Sequence, residues 1–122
     1  MSELAVSGCT VQITSGQTAT SITITTSPSS DISVNNKGVY FGDIDVTLIA
    51  VTQGSFVCSE ATLTIKGTAS NVLEIAGSKK AVQKNDSATD TFTFTDSSAS
   101  ATTDLPVTIQ ITDAGQTDVI AS

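Results

Sequence analysis

Asp43 and Asp45 stand one residue apart in a stretch that alternates polar and apolar, so both carboxylates project from the same side of a strand. Such a pair could hold Ca²⁺, but calcium loops present more oxygen ligands in a tight run. The pair therefore reads as a solvated edge that discourages strand addition. Cys9 and Cys58 are the other reactive groups. A thiolate nucleophile needs an imidazole or a basic neighbour to lower its pKa, and neither cysteine has one in sequence. Both read as small buried hydrophobes, with a disulfide between them as the alternative. Histidine is absent, which removes a His-based triad, an imidazole general base and a His zinc site. Gly67 and Gly77 stand alone, and Lys66, Lys79 and Lys80 do not make a phosphate-cradling loop. No catalytic residue, metal ligand or cofactor is assigned, and the expectation is a protein that is not an enzyme.

The elements that would position any site must come from a chain of 122 residues, the size of a single domain over 1–122. Twelve acids against five lysines give a net charge of −7. A phosphate backbone or an anionic membrane surface would be repelled, so neither nucleic acid nor membrane is an expected partner. Roughly three in ten residues are serine or threonine, a neutral-polar and β-prone composition. Four Phe, one Tyr and no Trp leave little on which sugar rings could stack. The first residues, Met-Ser-Glu-Leu-Ala-Val-Ser-Gly, carry neither a basic region nor a long apolar run, so a general secretory signal is not expected. The longest apolar stretch, Leu48-Ile49-Ala50-Val51, is far too short to cross a bilayer as a helix.

Apolar residues recur with a period of two and nowhere with a period of 3.6. The spacing predicts a first hairpin over 9–26 and strands over 44–52, 55–58, 61–66 and 89–95. A low-complexity loop over 96–104 follows, then a last hairpin from 107–112 to 118–120. The four apolar residues from Leu48 to Val51 predict a strand buried on both faces. Ser78 to Lys84 could form a helical turn or two, but a helix that short is marginal. The fold class is therefore all-β.

Two stretches share one pattern. Asp31 to Asp43 reads as a strand with Ile32 and Val34 on one face, a turn at 35–38, and a return through Val39 and Phe41 to Gly42-Asp43. About forty residues on, Val72 to Asp86 repeats it, with Leu73 and Ile75 on the first strand, a turn at 76–79, and a return that closes on Asn85-Asp86. A repeated hairpin suggests a body built by repetition. A further echo links Thr10–Thr18 with Thr108–Thr117 and predicts first and last hairpins in equivalent places.

The repeated unit resembles that of PAAR and PAAR-like proteins: a small or Pro residue, an alternating strand, an Asn-Gly-Lys-like turn, a return strand and Gly-Asp. Asn36, Lys37, Gly42 and Asp43 carry the match in the first copy, and Gly77, Lys80, Ala81 and Asp86 in the second. Val39-Tyr40 and Val82-Gln83 replace the family's Ala-Arg, and its zinc site cannot form without histidine. The resemblance implies a compact, cone-like β body of short hairpins. Such a body would cap the trimeric β-helical spike of a contractile injection machine, of the type VI secretion or phage-tail kind, at one copy per trimer and in places with effector cargo. It implies synthesis in the cytoplasm and export as part of the particle. Ile32, Val34, Leu73 and Ile75 would be the candidates for docking on the spike. The strand count and regular turn spacing also suit a β-sandwich interaction or decoration module of a virion or cell surface.

Overall fold

A computed structural model describes residues 2–30, 33–73, 80–96, 98–116 and 120–121. It is all-β, with no helix among the described residues. The strands are β1 (Ser2–Glu3), β2 (Thr10–Ile13), β3 (Ser21–Ile24), β4 (Ser33–Val34), β5 (Lys37–Gly38) and β6 (Asp43–Gln53). They continue as β7 (Phe56–Lys66), β8 (Ala69–Leu73), β9 (Lys80–Ala81), β10 (Ser87–Asp96), β11 (Ala101–Asp113) and β12 (Ile120–Ala121). Lys80–Ala81 is strand, where the sequence left a short helical turn over 78–84 open; residues 78 and 79 lie outside the described residues.

Six strands form one sheet in the order β2-β11-β10-β7-β6-β3, curved into a nearly closed barrel. The two long hairpins β6/β7 and β10/β11 dominate it. Their alternating apolar residues face inward and pack as one core that includes Ile44, Val46, Leu48, Leu63, Ile65, Phe94, Val107, Ile109 and Ile111. Burying each of the large ones is worth roughly 1.5–3 kcal/mol. The 44–52 strand extends as far as Gln53, and 55–58 joins 61–66 in the single strand β7. The low-complexity stretch is largely strand, because β11 already begins at Ala101.

Three sequence expectations change. β2 and β3 do not pair with each other; they are the two edges of the sheet, and the loop between them spans the barrel's closure. There Thr18 pairs with Thr52, and the buried Gln17 amide donates to Gln53 Oε1 at 2.7 Å and to the Pro106 carbonyl at 3.0 Å. The echoing segments are not equivalent but adjacent. Ile13, Gln12 and Val11 lie opposite Ile109, Gln110 and Ile111 in an antiparallel ladder, and a similar alternation suits two strands that share one wall. β12 pairs with β1, not with β11.

The run Leu48-Ile49-Ala50-Val51 is not buried on both faces. Leu48 and Val51 are buried while Ile49 is exposed, because Ala50 sits at φ +53° and reverses which residues face inward. β7 reverses opposite it, from Cys58 to Ala61, and the register is unbroken on either side. The broken period is a change of phase in the hairpin.

Candidate functional site

The barrel is closed at one end by three short segments, each with a central residue in extended conformation. The Ala5 amide donates to the Val82 carbonyl (2.8 Å), Val82 to Tyr40 (2.9 Å), and Tyr40 back to Ala5 (3.1 Å), which completes a ring of three bonds. An outer set repeats the rule. The amide two residues after each centre donates to the carbonyl two residues before the next: Ser7 to Gly38 (2.9 Å), Gly42 to Lys80 (2.8 Å) and Lys84 to Glu3 (2.8 Å). Antiparallel bridges Val6–Val39, Phe41–Ala81 and Leu4–Gln83 lie between. One bonding pattern is thus written three times around an axis.

Extended segments send successive side chains to opposite sides, and the ring uses both. Ala5, Tyr40 and Val82 pack into the barrel core. Leu4, Val6, Val39, Phe41 and Ala81 point the other way and form a second core with Ala69 and the half-buried Val34.

The threefold order extends outward. Among the described residues, three two-stranded ribbons feed the ring: β4/β5 enters at Tyr40, β8/β9 at Val82, and β12/β1 at Ala5. Each ring segment then leaves for the barrel through a residue with positive φ: Gly42 (+73°), Asn85 (+76°) and Gly8 (+94°). Asn is among the few side-chain-bearing residues that adopt this conformation readily, which explains Asn85 where the first copy has glycine. The hairpin repeated in the sequence is therefore one ribbon with its ring segment, and a third such unit is built from β12 and β1.

The predicted site residues are distributed as follows. The first turn is Asn35-Asn36, with φ values of +53° and +65°, the two-residue type that matches strand twist. Lys37 and Gly38 belong to the return strand and not to the turn, with Lys37 opposite Val34. The Lys37 ammonium donates to the Gly115 carbonyl at 3.3 Å. Asp43 opens β6 opposite Lys66. Asp43 and Asp45 are exposed; β3 pairs with β6 only from Val46 to Ile49, and beyond it the Asp45 amide donates to Thr26 Oγ1 at 2.9 Å while its carbonyl accepts from the Thr25 amide at 2.9 Å. Asp45 accepts from Thr64 Oγ1 at 2.8 Å.

Asp86 is buried and accepts from the Thr68 hydroxyl, the Thr68 amide (3.3 Å) and the Gln83 amide (2.9 Å). It joins β8's entry to the ring's third segment. Ile32, Ile75 and Gly77 lie outside the described residues, as does the side chain of Leu73. Sequence reasoning missed Ala5 and Tyr40, whose only signal is an apolar residue between short alternating runs.

Both cysteines are free. Burial pushes the Cys9 thiol up to about 11 and raises the Tyr40 hydroxyl above its ordinary value, the reverse of activation for a nucleophile. Among the described residues no group of three His, Cys, Asp or Glu side chains could hold a metal. Comparisons with protein-family models, curated proteins and solved structures find no match.

Proposed function

We propose that the protein is a non-enzymatic tip or adaptor that caps the trimeric β-helical spike of a contractile injection machine. The ring centred on Ala5, Tyr40 and Val82 supports this reading most directly. One chain that caps a trimer must offer three similar surfaces to three identical ends. A bonding pattern repeated three times, fed by three ribbons, lets a single copy do so. The stiffness that a tip needs is consistent with two stacked cores on either side of the ring. The single six-stranded barrel lacks the two separate packed sheets of a sandwich, so the decoration-module reading is not taken further.

The test is to mix the protein with purified trimeric β-helical spike proteins of contractile systems and record native mass spectra. The reading expects a stable complex of one copy per trimer. Absence of association with every spike, or a ratio of three copies per trimer, overturns it.

A further inference from the structure

The six-stranded sheet has two free edges, β2 and β3, and they flank one seam. The two strands form no ladder pair and do not run at the spacing of neighbouring strands. The loop 14–20 bridges only the end of the seam, where Thr18 pairs with Thr52. A cavity of about 290 Å³ lies there, walled by Gln12 and Ile13 of β2, by Gln17, Thr18 and Ala19 of the loop, and by Ile22 of β3.

Ladder parity shows what the edges offer. The Thr25 amide donates to the Asp45 carbonyl at 2.9 Å, in the register of β3 with β6. Bonding alternates along an antiparallel strand, so Thr23 and Ser21 bond to β6 while Ile22 and Ile24 turn their N–H and C=O groups toward the seam. On the other side the Thr14 amide donates to the Thr108 carbonyl at 2.9 Å. Gln12 therefore bonds to β11, and Val11 and Ile13 face the seam. Among the described residues these main-chain groups have no partner across it.

Two further observations concern the side chains. Inward-facing Ile44, Val46, Leu48, Ile109 and Ile111 are fully buried, whereas Ile13, Ala19, Ile22 and Ile24 pack on the same core and stay partly exposed. The core is open to water along this seam. Each of the four long strands carries charge, but residues 9–30 contain none, and neither β2 nor β3 holds the lysine or proline that commonly deters strand addition.

We propose that the β2–β3 seam binds an extended, uncharged segment of a partner polypeptide, added as a strand to the edge of β3. A polypeptide backbone supplies acceptors and donors at the spacing that Ile22 and Ile24 present. Its alternate apolar side chains enter the cavity against Ile13, Ala19 and Ile22, and its neutrality matches a seam without charge. This site lies on the barrel wall, apart from the ring, and stands independently of the spike-tip reading.

The test uses the full, isotope-labelled chain and three six-residue peptides: valine alternating with threonine, the same peptide N-methylated throughout, and lysine alternating with threonine. In the free protein the Ile22 and Ile24 amides are expected to exchange with solvent far faster than that of Thr23, and the valine–threonine peptide should slow both at least tenfold. The N-methylated peptide cannot donate ladder bonds and the lysine peptide has no apolar side chain for the cavity, so each should bind about tenfold more weakly. Ile24→Pro removes an outward N–H and no bond to β6, and should weaken binding about tenfold. Ile13→Lys, which puts a charge at the cavity, should give the same loss should Ile24→Pro fail to fold. Unchanged exchange at millimolar peptide, equal binding of the N-methylated peptide, or slow exchange of Ile22 and Ile24 already in the free protein overturns the proposal. Protection that grows with protein concentration in the absence of peptide assigns the edge to a second copy and overturns it as well.

Discussion

Ser55 donates its hydroxyl to the Asp96 carboxylate at 2.8 Å, so the turn of β6/β7 is tied to the end of β10. Asp96 also accepts from the Ser98 hydroxyl at 2.7 Å and the amides of Ser98 and Ala99 at 3.0 and 3.3 Å. One carboxylate thereby organises the β10/β11 turn and links the tips of the two hairpins.

These bonds, the Ser98 hydroxyl foremost, hold the Asp96 carboxyl below its usual value. A depressed folded-state pKa contributes stability above the unfolded value of about 3.9, and that stability is lost as pH falls through the folded pKa. The melting temperature of the wild type should therefore fall below about pH 4, while that of Asp96→Asn starts lower and falls less. Parallel curves would refute the assignment.

Ala50 at φ +53° carries a left-handed cost of roughly 1–2 kcal/mol. Ala50→Gly removes it but adds about 0.4–1 kcal/mol of unfolded-chain freedom. The difference is a net stabilisation of up to about 1.6 kcal/mol, measurable by urea unfolding. Ala50→Val, β-branched at the same φ, should destabilise by more than about 1 kcal/mol.

Gly67 approaches the ring so closely that a Cβ there would overlap the carbonyl oxygens of Lys80 and Ala81. Its amide donates to Gly42 at 2.8 Å. Gly67→Ala should cost about 2 kcal/mol or more, since backbone on both sides must shift, and more than Gly16→Ala, which meets open space and carries only the left-handed cost of φ +99°, roughly 1–2 kcal/mol. Similar losses in urea unfolding would count against close packing at the ring.

Asp86 holds two backbone amides and a hydroxyl in a buried place. Asp86→Ala leaves those donors unmatched at about 1–3 kcal/mol for each buried group. A midpoint shift below about 1 kcal/mol in denaturant would show that water replaces the carboxylate.

With its pKa near 11, Cys9 is a thiolate to only about one part in a thousand at pH 8. A disulfide-exchange reagent should label it far more slowly at that pH than it labels a free cysteine peptide. Equal rates would disprove its burial.

The all-β character was legible because Ile44, Val46, Leu48 and their partners alternate without interruption. The 31–43 and 72–86 stretches each lead into a ring segment, at Tyr40 and Val82, while the turn of the second, 76–79, lies outside the described residues. The third unit was hidden because β12 and β1 lie at opposite ends of the chain, and no local pattern announces such a pairing. Residues 96–104 looked like loop by composition. Cross-strand pairs such as Thr95–Thr102 and Thr93–Asp104 nevertheless hold 101–104 in the ladder, where sheet context outweighs the weak propensity of Ala and Asp. The phase change at Ala50 showed only as a run of four apolar residues, which serves a doubly buried strand equally well.

The ring of Ala5, Tyr40 and Val82 also sets a timetable. None of its three bonds joins neighbours in sequence, and the cycle cannot close until the chain has been synthesised past Val82. β6/β7 can pair earlier as a local hairpin, but it has no cap until then. Folding of the capped end is therefore a late event dominated by distant contacts, which places the protein among slow folders. Once closed, the three ring amides exchange with solvent as one unit, since opening any of them breaks the cycle for all.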